Sequence, residues 1–217
     1  MMLSELFAQL SYGELRQTYF SDDETRLIKP EHYAEIISHI NLGLTDLHKK
    51  FPLKTNELFI QQYSHISVYH LNSKYSYSND ASTEPYKYII DSLDEPFKDD
   101  AIRIERIYDE NGDEFYVNDG HNSWGAFLPN QLSIQLPQPD DANSISVIYR
   151  AMPVKIVGTA DPETQEVDLP PVYLQPLLYY VASRVFAGIG SPEAMGTSNN
   201  YVVMYETACN DLKFNGV

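Results

Sequence analysis

From Asp168 to Leu212 the sequence spells two helices back to back, and the helix read from Glu31 to Phe51 carries the same apolar periodicity far upstream. A helix with a single apolar stripe must bury that stripe against another element. The two ends of the chain are therefore expected to pack together, and the strand-like sequence between them becomes an insertion. The class that satisfies this is α+β: a helical bundle from N- and C-terminal helices with an inserted small antiparallel β domain. The expected boundaries are residues 1–54 and 168–217 for the bundle and 55–167 for the β-rich insert with long loops.

Each helix carries its own signals. Lys29-Pro30-Glu31 places a proline and an acid in a first turn, Lys49 and Lys50 fall in the last, and Tyr33, Ile36, Ile37, Ile40, Leu44, Leu47 and Phe51 recur every three or four residues. Leu169-Pro170-Pro171 opens the next, with Val172, Leu174, Leu177, Leu178, Val181, Val185 and Phe186 on one broad face and Gly188 and Gly190 at its end. Ser191-Pro192-Glu193 turns the chain, and the last helix, Asn199 to Leu212, matches with Tyr201, Val202, Tyr205, Ala208, Cys209 and Leu212. At the start, Ser4–Leu10 reads as a short helix, and Ser11-Tyr12-Gly13-Glu14 has capping-box spacing for a further turn.

The middle has strand character. Leu58-Phe59-Ile60 reads as a strand or a helix extension, and Ile66–Tyr69 as a strand. Ala101–Tyr108 reads as a strand with Ile102 and Ile104 alternating, and Asn111-Gly112 predicts a hairpin leading into Glu114–Val117. Phe127, Leu132–Leu136 and Ser144–Val157 supply the remaining strands, with Pro153 marking an edge or bulge. The Ser-, Tyr-, Asn- and Lys-rich stretch from Asn72 to Tyr88 is expected to be a surface excursion that orders against a neighbour.

Chemistry is hard to place on this chain. Lys+Arg number 15 against Asp+Glu 31, a formal net charge of −16, which argues against a phosphate-binding surface and fits either solubility or a surface that must not hold passing DNA. Cys209 is the only cysteine, so no internal disulfide and no multi-thiolate metal site forms, and its helical setting points to a buried structural thiol. The six histidines lack metal-ligand spacing and read as surface or interface residues. Asp109–Glu114 resembles a calcium loop only superficially, because Gly112 stands too early. Gly188-Ile189-Gly190 follows a helix instead of opening one, and Ser123-Trp124-Gly125 has no nucleophile-elbow spacing. No catalytic residue, cofactor or metal is assigned. The N-terminus lacks signal-peptide character and no stretch approaches a membrane span, so a non-exported protein without membrane contact is expected.

Seventeen tyrosines, by contrast, call for a use. Tyrosine gives large contact area at low entropic cost and is enriched where protein surfaces meet. Tyr75, Tyr77, Tyr86 and Tyr88 in the excursion are the leading interface candidates. An alternative use of the β segment is carbohydrate binding or hydrolysis around Trp124, with Tyr116 and Phe127 as stacking partners.

The helix Glu31–Phe51, the β insertion, the strand Ser144–Val157, and the run from Leu169-Pro170 through Arg184 and Ser191-Pro192-Glu193 to Tyr205-Glu206 and Leu212 together resemble the head-to-tail adaptor (connector) proteins of tailed bacteriophages, of the tail tubular protein A type. The resemblance implies a structural, non-enzymatic virion protein, assembled in the host cytoplasm. It implies a homo-oligomeric ring of twelve copies between the portal protein and the tail nozzle or tail tube, with DNA passing through the lumen. A negatively charged lumen would not hold a polyanion in transit. Docking on the portal through the C-terminus is implied as well; with the short Lys213–Val217 segment, either Phe214 and Val217 serve as small anchors or another loop does the docking.

Overall fold

The computed structural model of the protein describes residues 1–22, 24–25, 27–120 and 125–216. Among these residues, four α-helices and two small antiparallel sheets make an α+β fold, divided into two compact units: Met1–Phe51 with Pro153–Val217, and Pro52–Met152.

The first unit is helical. Helix α1 (Leu3–Tyr12) buries Leu3, Leu6, Phe7 and Leu10, and the Glu5 carboxylate accepts from the Met2 N–H at 2.9 Å to satisfy an orphan donor of its first turn. The helix stops at Gly13, and Ser11 is buried in its last turn with its hydroxyl 3.3 Å from that of Ser21. The capping box expected from Ser11 to Glu14 is therefore not formed. Helix α2 (Tyr33–Lys50) follows a 3-10 turn, Pro30–His32, and buries Ile36, Ile37, Ile40, Leu44 and Leu47, the stripe that the periodicity predicts. Gly43 lies in that stripe too, where a Cβ would come within 2.7 Å of Leu177 Cδ1 and 2.9 Å of Tyr180 Cδ1. Glycine is what lets α2 approach the next helix this closely.

That next helix, α3 (Leu174–Ile189), starts after a 3-10 turn at Pro171–Tyr173 and ends on Gly190, whose φ of 76° is the left-handed cap conformation. It buries Leu177, Leu178, Val181, Ala182 and Val185, whereas Val172 is exposed. Helix α4 (Pro192–Phe214) begins earlier than the expected Asn199, because the Ser191 hydroxyl accepts from the Ala194 N–H at 3.1 Å and starts the helix at the turn itself. Small side chains pack its first turns: Ala194 and Ser198 are buried, and the Ser198 hydroxyl donates to the Ser183 carbonyl of α3 at 2.8 Å. Val202, expected on the packed face, is exposed.

Residues 153–167 belong with the helices, not with the insert where the sequence reading put them. Backbone bonds tie Leu3 to Gln165 and Val167 to Met1, and the Asn41 side chain both donates to the Ile156 carbonyl and accepts from its N–H. Strand-like sequence is here used to brace the start of α1 and the middle of α2.

In the second unit, β1 (Thr55–Gln61), β3 (Ile89–Ile90), β4 (Ala101–Tyr108) and β7 (Ser144–Ala151) form a sheet in the order β3-β1-β7-β4, and β2 (Val68–His70), β5 (Phe127–Asn130) and β6 (Ser133–Gln135) form another in the order β2-β6-β5. Leu58, Ile60, Ile145, Val147, Tyr69 and Ile134 lie in their common core. Three details depart from expectation. Strand β4 buries Ala101, Ile104 and Ile107, a spacing of three, because two register shifts against β7 each break the alternation; Ile102 is left half-buried. Gly112, at φ 87°, makes the predicted turn, but the returning chain pairs β4 only briefly, through a bridge at Glu114 and bonds from Asp109 to Asp113 and from Phe115 to Ile107, and forms no strand there. Finally, β7 ends before Pro153, which cannot donate to a ladder.

Candidate functional site

The tyrosine quartet separates on inspection. Tyr88 is 2 % exposed, stacked on Tyr75 at 4.6 Å between centroids and edge-on to Tyr69 at 5.1 Å. Its hydroxyl accepts from the His70 N–H at 2.8 Å and donates to the His70 carbonyl at 3.1 Å. His70 sits on β2, an edge strand, so the Tyr88 hydroxyl stands where a further strand would pair. The assignment of Tyr88 to an interface is thus corrected: it is a core residue that closes a sheet edge, and burial raises its hydroxyl well above the ordinary tyrosine value. Tyr69 does similar work on the backbone of Tyr63, accepting from its N–H and donating to its carbonyl.

Tyr75 is half-buried under the stack, with the Lys74 ammonium 4.6 Å from its ring centroid. Tyr77 and Tyr86 remain accessible, at 47 % and 48 %. The Tyr77 hydroxyl lies 3.1 Å from that of Tyr63, and this hydrogen bond, with burial, pushes Tyr63 up to about 12. Tyr86 packs edge-on against His65 at 4.4 Å. The excursion that carries these residues is ordered by its own chain, contrary to expectation. Asp99 accepts from both the backbone and the hydroxyl of Ser73, Asp91 from those of Ser78, and a bridge joins Ser76 to Ile89. Short polar side chains close successive turns here without a neighbour's help.

At the other end of the chain Phe214 is 92 % exposed, while Val217 lies outside the described residues. Phe214 is the last residue of a helix whose outward side chains are apolar or neutral over a long stretch. Met195, Val202, Val203 and Met204 are all exposed, and no charge occurs between Ala194 and Tyr205.

The titratable groups inside the helical unit act as a clamp. Lys50 of α2 lies 3.3 Å from Asp46 and 2.8 Å from Glu206, with its ammonium 4.3 Å from the Tyr205 ring centroid; the Tyr205 hydroxyl donates to Asp46. Burial and the hydrogen bond to Asp46 push the Tyr205 hydroxyl above its ordinary value. Cys209, fully buried beside it, is also raised, chiefly by burial and against the opposing pull of the Tyr205 hydrogen bond and Lys50. A raised, enclosed thiol is a packing residue and not a nucleophile. His48 is buried as well, which corrects its reading as a surface or interface residue, and burial lowers the imidazole of His39 despite Glu35 nearby.

A cleft of about 600 Å³ in the β unit gathers Asp109, Glu110, Asp113, Glu114 and Asp140 around Phe115 and Tyr116. Asp109 accepts from the N–H groups of Asn111 and Asp113, which holds its carboxyl below the ordinary range and makes it the brace of the turn. Trp124, the centre of the alternative sugar reading, lies outside the described residues, as do Ser123 and His121. Among the described residues no three His, Cys, Asp or Glu side chains converge to hold a metal ion, and no helix is long and apolar enough to cross a membrane.

Neither the models of known protein families nor the curated proteins compared with the chain match it.

Proposed function

We propose that this chain is a structural adaptor of a tailed-phage virion. Copies form a ring, twelve in the arrangement the resemblance implies, between the portal protein and the tail nozzle or tube, and DNA crosses the lumen. The observation that carries the reading is that both units expose large apolar side chains: Val203 and Phe214 on the helical unit, at 64 % and 92 %, and Leu93 and Tyr116 on the β unit, at 78 % and 69 %. A ring of identical subunits uses two different surfaces of each copy, and further surfaces for the rings above and below. The acidic excess supports the same reading, since a lumen lined with carboxylates does not retain DNA. The internal clamp of Lys50, Asp46 and Tyr205 suits a part that bears load without doing chemistry.

The test is negative-stain imaging of the protein mixed with the portal protein of the same genome, beside each alone. A coaxial ring of added density supports the adaptor role and gives the copy number. Absence of binding at low and moderate salt sinks it.

The acidic cleft favours one second reading, a carbohydrate-binding module in which Tyr116 stacks on a sugar. The hydrolytic form is weaker, because a general acid needs a raised pKa and Asp109 is lowered. Saturable glycan binding lost in Trp124→Ala and Tyr116→Ala would establish it in place of the adaptor.

A further inference from the structure

Around the axis of α4 the residues fall into two opposed rows. Ala194, Ser198, Tyr205 and Cys209 are buried. At about 100° per residue, the row diametrically opposite is Gly196, Asn200, Val203, Thr207, Asn210 and Phe214, and all six are exposed. Their spacing alternates between four and three residues, which is the repeat by which one helix lies along another. The charged residues of α4, Glu193, Glu206, Asp211 and Lys213, all stand to the sides of this row. A solvent face normally collects a helix's charges. Here the face farthest from the chain's own core has none, in a protein with 31 acids and 15 bases.

Gly196 supplies an independent sign. A Cβ built at this position would meet nothing within 4 Å, so nothing in the chain uses the missing side chain. Within a helix, glycine is the least favourable residue after proline. An approaching backbone from outside is what would need the space.

We infer that this neutral row of α4 is where two copies of the chain meet, a neighbouring copy packing along it. Charge selects the occupant. At a formal net charge of −16, most pairings of two copies oppose carboxylates to carboxylates, and the row lets them approach without doing so. A basic partner would be drawn instead to surfaces such as the acidic cleft. The size of the strip sets the strength: from Gly196 to Phe214 the row runs about 27 Å, and a helix-wide strip of that length is about 270 Å², about a third of the roughly 800 Å² that a stable pair buries on each partner. A single pair is accordingly weak, and a closed ring, in which each copy is held on two sides, is where the contact becomes firm. The inference deepens the ring reading by naming the face between copies, but the contact can be tested without the portal.

The experiment is sedimentation velocity on the full chain from about 1 µM to about 0.5 mM, a range that spans weak pairing. Wild type is compared with Val203→Glu/Thr207→Glu, with Val203→Leu as control. Both replaced side chains are exposed, and glutamate is the better helix former, so circular dichroism should not change. The expected result is reversible association of wild type and of Val203→Leu, weakened at least about 100-fold in the double variant by like charges opposed across the contact. Wild type that stays monomeric throughout, or a double variant that associates as well as wild type, overturns the inference while leaving the portal-ring reading to its imaging test. A double variant that still self-associates but no longer binds the portal assigns the row to the portal, and also overturns it. Conversely, association through α4 with no ring on the portal would keep this contact and remove the adaptor role.

Discussion

Replacing Tyr88 by phenylalanine isolates one atom with two hydrogen bonds. The hydroxyl satisfies both the N–H and the carbonyl of His70 on the open edge of β2, and among the described residues no other strand takes them. Leaving a buried backbone group unsatisfied costs about 1–3 kcal/mol; His70 itself is exposed on its other side, so water recovers part of each loss and the sum is about 2 kcal/mol. Tyr88→Ser removes the ring as well, with its contacts to Tyr69 and Tyr75, and costs about 4 kcal/mol or more. Tyr77→Ser and Tyr86→Ser delete exposed side chains and should each stay within about 1 kcal/mol. The assay is urea unfolding followed by the fluorescence of Trp124, the single tryptophan, which falls within the sequence span of the β unit. A Tyr88→Phe midpoint indistinguishable from wild type would show that water fully replaces the hydroxyl, and the edge-closing argument would fail.

Other perturbations separate packing from interaction. Arg150, buried, donates to Glu105 at 2.6 Å, so Glu105→Ala should cost about 3 kcal/mol in the same urea assay; a loss under about 1 kcal/mol would mean the pair is solvated. Gly196→Ala should stabilise the helical unit by about 1 kcal/mol in thermal unfolding while weakening self-association by sedimentation, and equal or stronger association would contradict close approach at this site. Burial alone would raise Glu105 and Asp91, but Arg103 and Arg150 at the first, and Ser78 and Phe97 at the second, outweigh it and hold both below their ordinary values. Groups depressed on folding contribute stability above their unfolded pKa and lose it as pH falls through the folded one, so the urea midpoint of the β unit should drop below about pH 4. An unchanged midpoint down to about pH 3 would refute that assignment.

The class of the fold was legible because periodicity carries it. Ile36, Ile40, Leu44 and Leu47 mark α2 in the sequence as plainly as in the structure, and Leu177, Val181 and Val185 mark α3. Where packing uses small or polar atoms, the same method is blind. The first turns of α4 rest on Ala194 and Ser198, which leave no apolar stripe to read, although Ser191-Pro192-Glu193 is a helix-start signature that could have placed its beginning. In β4 the bulges convert a period of two into one of three, and no local residue announces them.

The tyrosines show how composition alone misplaces candidate surfaces. One side chain can lend area to a partner or lend its hydroxyl to an orphaned backbone group, and composition counts both alike. In this chain Tyr69 and Tyr88 pin backbone inside the β unit, and Tyr205 locks α2 to α4 through Asp46. Of the four candidates in the excursion, only Tyr77 and Tyr86 are substantially open to a partner. The surface with the stronger claim is nearly tyrosine-free: the neutral row of α4, recognisable only once the buried side of that helix is known, because it is defined as the side opposite. The proposed contact between copies of this acidic chain rests on missing charge, not on abundant aromatics.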